Sequence, residues 1–276
     1  MLEPIKIKEN FASEIKKNGV ALIDHQVLSD ETIEKVKNII DENNAYSPID
    51  KLVLPSSLTQ KLVSLLKFNF SKFKTSNYLK KISEDLNLPE IAELYFDNKT
   101  ILRQIDCYKS KKSNSFVIPW HCDKAHSGQK LVKKSELTHP GKFNLKFFFF
   151  LTDVNAKNGS LAYLPKSHHV VWALKICMLK NELDYKPFWA LKDCRNLLME
   201  KNIYKKVKNY VDEETIEDFL EKSSFLEESN DTQKFDLSIP KGGLLIFNEL
   251  GFHRGSQPLV NNRYALRFFY NNSSFF

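Results

Sequence analysis

In the first third of the chain, the spacing of apolar residues predicts a helix, then a strand, then a second helix. A polar helical stretch at residues 9–17 precedes a short apolar run at 20–24, and a second helix is predicted from about residue 31. Ser29 stands where an N-cap residue would accept a backbone N–H. The apolar positions of the second helix recur at the spacing that gives a helix one buried face: Ile33, Val36, Ile39 and Ile40. We therefore expect helix, strand, helix.

From residue 100 onward, short runs rich in β-branched and aromatic residues alternate with turn signals. The predicted strands cover residues 101–108, 116–122, 143–152, 160–164, 243–247 and 263–270. Asn158-Gly159 is a strong turn signal between two of these runs, and residues 240–243 mark the entry to another. This pattern predicts a sandwich or barrel of β-strands.

Between His169 and Asp236 the pattern becomes helical again, rich in Glu, Lys and Leu, with an amphipathic helix at residues 211–221. No internal repeat or low-complexity segment marks a domain boundary. We therefore expect a single domain over residues 1–276, of α+β class and mainly β with flanking helices. Residues 170–235 are expected to form a helical insertion or lid within it.

Composition narrows the class of protein and of partner. The chain is 42% hydrophobic and 27% charged, as in ordinary globular proteins, and its 21 Phe supply large side chains for a packed interior. Its formal net charge is +7, from 41 Lys and Arg against 34 Asp and Glu, which favours anionic partners. Because the lysines are scattered, without a basic stretch interleaved with aromatics, we expect a small-molecule substrate and no nucleic-acid partner.

The cysteines and the N-terminus indicate a reducing compartment. Cys107, Cys122, Cys177 and Cys194 show no CxxC spacing and no dense framework, so neither a structural zinc site nor a disulfide scaffold is predicted. The N-terminal MLEPIKIKEN is charged where a signal peptide would be apolar, and no run of about 18 apolar residues could span a bilayer. We expect a cytoplasmic protein without a membrane partner.

His121 and Asp123 form an HxD pair on a predicted strand. Residues two apart on a strand project from the same face, so both side chains can bind one metal ion, whereas Cys122 points to the opposite face and is expected to pack there. His253 follows an apolar strand and a short loop. Two histidines and a carboxylate form the facial triad that suits non-haem iron(II) and leaves positions for a bidentate co-substrate and dioxygen. We predict that His121, Asp123 and His253 are the catalytic metal ligands.

A bound 2-oxoglutarate would chelate the iron through its keto acid, and its distal carboxylate would need a cation. Arg263, which opens the strand after His253, is our choice for this guanidinium. Arg267 lies four residues further on the same strand face and is the competing candidate.

The order and context of these residues resemble the phytanoyl-CoA dioxygenase family. The HxD pair, the distal His and the following Arg recur in that order, and NLKFFFFLTDVNAKNGSLAYLPKSHH is similar to the central segment of that family. NGVALIDHQVLSDETIEKV resembles the family's opening helix and strand. The resemblance covers roughly the whole chain apart from the helical insertion. Cys122 stands where the family often has Gln, and Lys166 where it often has Gly, and neither departure removes a metal ligand.

This resemblance implies a double-stranded β-helix, or jelly-roll, with Fe(II) as cofactor and 2-oxoglutarate and O2 as co-substrates. It implies decarboxylation of 2-oxoglutarate to succinate and CO2, coupled to hydroxylation of an unactivated C–H bond. Gln104, in the strand before the HxD pair, is predicted to add a hydrogen bond to the co-substrate. We hypothesise that residues 170–235 cover the active-site mouth and contribute to substrate choice.

Two other functions stay open at this point. His126 extends the HxD pair to HxDxxH, which a zinc hydrolase could use with a metal-bound water, and a jelly-roll can also be a non-catalytic binding module. Both leave the joint presence of His253 and Arg263 unexplained. His168 and His169 could line the pocket or be polar loop residues. The substrate and the oligomeric state are left open, and no sustained heptad indicates a coiled coil.

Overall fold

Two antiparallel β-sheets form the centre of the computed structural model, which describes residues 8–46, 51–54, 70–112, 119–123, 141–186, 188, 190–228 and 232–275. The strands are β1 (Val20–Ile23), β2 (Leu52–Leu54), β3 (Thr100–Ser110), β4 (Leu145–Phe150), β5 (Leu161–Tyr163), β6 (Leu244–Asn248), β7 (His253–Gly255) and β8 (Arg263–Asn272). The larger sheet has the order β1-β6-β4-β8-β3-β2, and the smaller sheet pairs β5 with β7. Single bridges from His121 to His253 and from Asp236 to Ala162 widen the smaller sheet.

The N-terminal helices cover the outer face of the larger sheet. They are α1 (Lys8–Asn18), α2 (Asp30–Glu42), α3 (Phe70–Asp85) and α4 (Leu88–Phe96). The buried face of α2, at Ile33, Val36 and Ile40, joins the same hydrophobic cluster as Ile105 of β3 and Leu266 of β8. Burial of this amphipathic face against the sheet stabilises the helix far more than its intrinsic propensity does.

The side chains of β4 alternate between the two faces of the larger sheet. Phe147 and Phe149 belong to the cluster beneath the helices, whereas Phe148 and Phe150 belong to a second cluster between the two sheets. This follows from the alternation of side chains along a strand. Because both faces are covered, all six residues of β4 are buried, including its one charged residue, Lys146.

The helical insertion packs behind the smaller sheet. It contains α5 (Ser167–Leu179), α6 (Leu191–Met199), α7 (Lys201–Val207), α8 (Glu213–Glu228) and a short 3-10 helix (Thr232–Phe235). The N–H of Leu191 donates to the carbonyl of Trp120 at 3.2 Å, and the rings of Phe219 and Phe252 lie 5.7 Å apart. These helices therefore contact the segments that carry His121 and His253.

The predicted fold class is confirmed, since two facing antiparallel sheets with flanking helices are the expected jelly-roll. The sequence patterns missed α3, α4 and the short strands β2 and β7. Of the predicted strand 116–122, only residues 119–122 lie within the described residues, and there His121 forms isolated bridges instead of a continuous strand. His126 lies outside the described residues. The single-domain boundaries and the lid role of residues 170–235 stay predictions. None of the helices in the described ranges is long and apolar enough to cross a lipid bilayer.

Ser29 is the N-cap of α2, as its position in the sequence predicted. Its side chain accepts the N–H of Thr32 at 3.2 Å. Because Ser29→Ala leaves that donor without its acceptor, we expect the free energy of unfolding to fall by about 1 kcal/mol in urea denaturation followed by circular dichroism. Ser29→Asp keeps an acceptor and is the matched control. Equal losses in the two variants would contradict the capping role.

His168 is buried against the end of α1 and makes stability depend on pH. Its Nε2 lies 3.2 Å from the carbonyl oxygen of Lys16, and burial together with His169 lowers the pKa of His168 to about 3. The unfolded chain takes up this proton below about pH 6.5, whereas the folded protein does not. We therefore expect the metal-free protein to lose stability as the pH falls from about 6.5 towards 3.

His168→Gln tests this origin of the pH dependence. The difference in free energy of unfolding between neutral and acidic pH should be smaller in this variant than in the wild type, measured by urea denaturation of protein treated with a chelator. The exposed His25 supplies the control His25→Gln. The same slope in His168→Gln and in the wild type would refute the assignment.

Candidate metal centre

The three residues predicted as metal ligands lie together between the two sheets. His121, Asp123 and His253 each offer one ligand atom, and these atoms all lie within 4.8 Å of one another. The Nε2 of His121 is 3.9 Å from Oδ1 of Asp123, and the Nε2 of His253 is 3.5 Å from Oδ2 of the same carboxylate. A single metal ion between these atoms can contact all three side chains.

Backbone pairing holds the two distant segments together. The N–H of His121 donates to the carbonyl of His253 at 3.0 Å, and the N–H of His253 donates to that of His121 at 2.8 Å. The N–H of Asp123 donates to the carbonyl of Glu249 at 3.0 Å. A Cβ at Gly251 would lie 1.8 Å from the hydroxyl oxygen of Tyr163, so only glycine allows this close approach beside His253.

Each histidine turns the same ring nitrogen towards the cluster. Nδ1 of His121 lies 2.8 Å from the carbonyl oxygen of Pro119, and Nδ1 of His253 lies 2.9 Å from that of Gly251. Because a carbonyl only accepts, the tautomer that these contacts favour in each ring carries its proton on Nδ1. Nε2 is therefore left with its lone pair, which is the state in which histidine binds a metal.

The protonation states of the cluster also suit a cation. Burial and the neighbouring His253 lower the pKa of His121 to about 4, although Asp123 acts in the opposite direction. Burial raises the pKa of Asp123, but Lys146 and the two histidines outweigh it and hold this pKa well below its usual range. At neutral pH the cluster thus offers a neutral His121 and a charged carboxylate, as metal binding requires.

Lys146 also belongs to this cluster. The sequence pattern did not indicate this, because the phenylalanine-rich run around it predicts only a strand packed in the core. Its Nζ contacts Oδ2 of Asp123 and lies 3.4 Å from Oε2 of Glu249. A signal was present, because a lysine within an otherwise apolar run that is buried on both faces must be paired.

Arg263 begins β8 and is buried. Its Nη1 donates to the carbonyl of Gly159 at 2.6 Å, and its Nη2 donates to the hydroxyl of Ser110 at 3.0 Å. Its Nε has no partner within the described part of the chain, and no carboxylate there forms an ion pair with this guanidinium. Both of the groups that it binds are neutral oxygens.

Arg267 and Gln104 share one buried carboxylate. Nε of Arg267 donates to Oδ1 of the fully buried Asp106, and Nε2 of Gln104 donates to its Oδ2. Burial disfavours the charge of Arg267, yet Tyr108, Asp106 and Asp123 together raise its pKa. Arg267 is therefore already neutralised by an acid, and its Nη2 is buried without a partner in the described residues.

The other residues singled out from the sequence lie outside the cluster. Cys122 is fully buried in the hydrophobic cluster beneath the helices. The rings of His168 and His169 are tilted by 38° with their centroids 3.9 Å apart, and their Nε2 atoms lie near the carbonyls of Lys16 and Lys17 at the end of α1. Their contacts are those of structural residues.

Comparisons with known proteins identify the family. The profile of the family described as Phytanoyl-CoA dioxygenase (PhyH) matches residues 15–258. No protein of curated function matches the sequence at a significant level.

Solved structures share the fold. EctD from S. alaskensis with bound Fe superposes with a TM-score of 0.55 at 13% identity, covering 99% of this chain and 79% of its own. HygX from Streptomyces hygroscopicus, with nickel and 2-oxoglutarate bound, gives 0.55 at 12% identity over 98% and 88%. SnoN, a non-haem alpha-ketoglutarate-dependent epimerase from nogalamycin biosynthesis, gives 0.54 at 10% identity over 96% and 83%.

The profile spans most of the sequence and includes the HxD pair and the distal histidine, so the chain belongs to the phytanoyl-CoA dioxygenase family of iron(II)- and 2-oxoglutarate-dependent oxygenases.

Proposed function

We propose that this oxygenase hydroxylates a C–H bond of a small, anionic metabolite, with His121, Asp123 and His253 as its iron ligands. The observation that carries the proposal is the two-histidine, one-carboxylate cluster, whose ligand atoms lie within 4.8 Å of one another. This donor set fits iron(II), because it leaves adjacent coordination positions open. The iron in EctD and the 2-oxoglutarate in HygX, which share this fold, support the same cofactor and co-substrate here.

When bound, iron(II) with 2-oxoglutarate and dioxygen supplies the oxidant, and 2-oxoglutarate is converted to succinate and CO2. The chain itself orients the ligands and limits access of water. The ring of Phe247 lies 5.1 Å from that of His253, and the ring of Tyr163 stacks on the same histidine at 6.5 Å. These rings form an apolar wall on one side of the cluster, which protects a reactive oxidant from water.

Arg263 is the proposed receptor of the distal carboxylate of 2-oxoglutarate. Its hydrogen bonds go to neutral oxygens, which a carboxylate would replace with stronger charge-assisted bonds in a bidentate geometry. Arg267 already forms that kind of bond with Asp106. Gln104 binds the same aspartate, so its bond to the co-substrate stays a prediction. The proposed anionic character of the substrate is supported by the net charge of +7, which attracts anions at long range.

Anaerobic titration with iron(II) and 2-oxoglutarate tests the proposed cofactor pair. We expect a weak visible charge-transfer band that needs both components, and succinate release when oxygen is admitted. Asp123→Ala and His253→Ala each remove a metal ligand and should abolish the band and the turnover while circular dichroism shows a retained fold. His25→Ala, an exposed histidine, is the control. No band in the wild type, with zinc bound instead, would refute the proposal and favour a hydrolase or a binding module.

Arg263→Gln tests the receptor of the distal carboxylate. Losing a charge-assisted hydrogen bond of about 1.5–3 kcal/mol should weaken 2-oxoglutarate binding at least tenfold, measured by the charge-transfer band, with iron binding unchanged. Arg267→Lys is the matched variant, because it removes the second guanidinium but keeps a cation beside Asp106. A larger loss in Arg267→Lys than in Arg263→Gln would transfer the role to Arg267.

A further inference from the structure

A chain of polar and charged side chains leads from β8 to the carboxylate of Asp123. Nδ2 of Asn271 donates to Oδ1 of Asn144 at 2.9 Å, and Nδ2 of Asn144 lies 2.7 Å from both carboxylate oxygens of Glu249. The backbone N–H of Asn144 also donates to Glu249 at 2.7 Å. Glu249 pairs with Lys146, which contacts Asp123.

Lys146 has little freedom to leave this position. The residue is 8% exposed and Glu249 is 2% exposed. Its Nζ lies 5.6 Å from the ring centroid of Phe247 and 5.5 Å from that of Phe269. A buried ammonium needs charged partners, and here the two carboxylates supply them, since the rings offer only weak cation–π attraction. Lys146 is therefore fixed between Glu249 and Asp123.

The contact with Asp123 involves one oxygen. Nζ of Lys146 contacts Oδ2, which also lies 3.5 Å from Nε2 of His253, whereas Oδ1 lies 3.9 Å from Nε2 of His121. An ammonium has no lone pair and cannot itself bind a metal. The negative charge of Glu249 offsets the positive charge of Lys146, so the pair contacts Asp123 without adding net charge beside a cation.

We propose that Lys146 is a positioning residue of the metal centre: by binding Oδ2 of Asp123, it competes with the metal for this oxygen and leaves Oδ1 as the carboxylate oxygen that is free to bind it. This inference rests on the proposed function. In a facial triad, two histidines and one carboxylate oxygen leave room for a chelating keto acid and for dioxygen. A second oxygen from Asp123 would take the position that dioxygen needs. Lys146 thus keeps the oxygen-binding position open.

Variants of Lys146 separate this role from packing and from charge. Lys146→Met keeps the length of the stem and removes the donor, whereas Lys146→Arg keeps a cationic donor. The double variant Lys146→Met/Glu249→Gln avoids an unpaired buried carboxylate, which would destabilise the fold. Lys99→Met, at an exposed lysine that pairs with Glu93, is the matched control. Circular dichroism and thermal melting of the metal-free proteins report the fold.

Two measurements on the full chain read the metal centre directly. Titration with cobalt(II), followed by its visible absorption, gives the metal affinity. Nitric oxide is a probe of the coordination position that dioxygen would occupy. It is titrated anaerobically into the protein loaded with iron(II) and 2-oxoglutarate, and its adduct is followed by electron paramagnetic resonance. A purely electrostatic role of Lys146 would change the cobalt affinity and leave nitric oxide binding as in the wild type.

We expect Lys146→Met and the double variant to bind cobalt(II) and to lose nitric oxide affinity at least about tenfold, the size typical for residues that orient a metal ligand. Lys146→Arg and Lys99→Met should stay within about threefold of the wild type, because both keep the donor to Asp123.

Nitric oxide affinity close to the wild type would overturn the proposal, as would loss of cobalt(II) by a folded variant, because a released carboxylate can still bind metal. Where the single and double variants differ, the double variant decides, since it carries no unpaired buried charge. A wild type that binds neither iron(II) nor 2-oxoglutarate would instead refute the proposed function, which keeps the two failures distinct.

Discussion

The reciprocal backbone hydrogen bonds between His121 and His253 are the constraint on which the site depends. They join a segment before β4 to the first residue of β7, and these two parts of the chain are far apart in the sequence. The same bridge sets the directions of the side chains, because paired residues of an antiparallel ladder point to the same face. Once it forms, the two imidazoles and the carboxylate of Asp123 converge, and the carbonyls of Pro119 and Gly251 fix the ring orientations.

The rest of the fold keeps this bridge in place. The helical insertion contacts Trp120 and Phe252, the neighbours of the two histidines, from the outer side of the smaller sheet. The larger sheet closes the opposite side with its phenylalanine-rich strand. Because protein interiors are close-packed, a displacement on either side would move a ligand atom. These helices thus pack against the segments that carry the two histidines.

Periodic patterns in the sequence predicted the parts of this arrangement that depend on local geometry. The helical spacing of α2 and its Ser29 cap were readable, because both follow from the repeat of one element. The HxD pair also pointed to the cluster, although residues 119–123 form only the bridges of His121 and not the predicted strand. Which arginine is neutralised was not readable. Arg263 and Arg267 share a strand face in the sequence, and only the register of β3 against β8, which places Asp106 opposite Arg267, distinguishes them.

Lys146 shows the limit of such patterns most clearly. In LKFFFF the nearly continuous run of apolar residues indicates a strand buried on both faces, and in such a run the lysine is an exception. Its partners come from residue 123 and residue 249, which no local rule connects to β4. A residue that contradicts its local pattern, yet finds two carboxylates in the fold, is expected where function sets the requirement. The burial of this charge is compensated only if Asp123 and Glu249 are both held in place, so the strand and the metal ligand determine one another's positions.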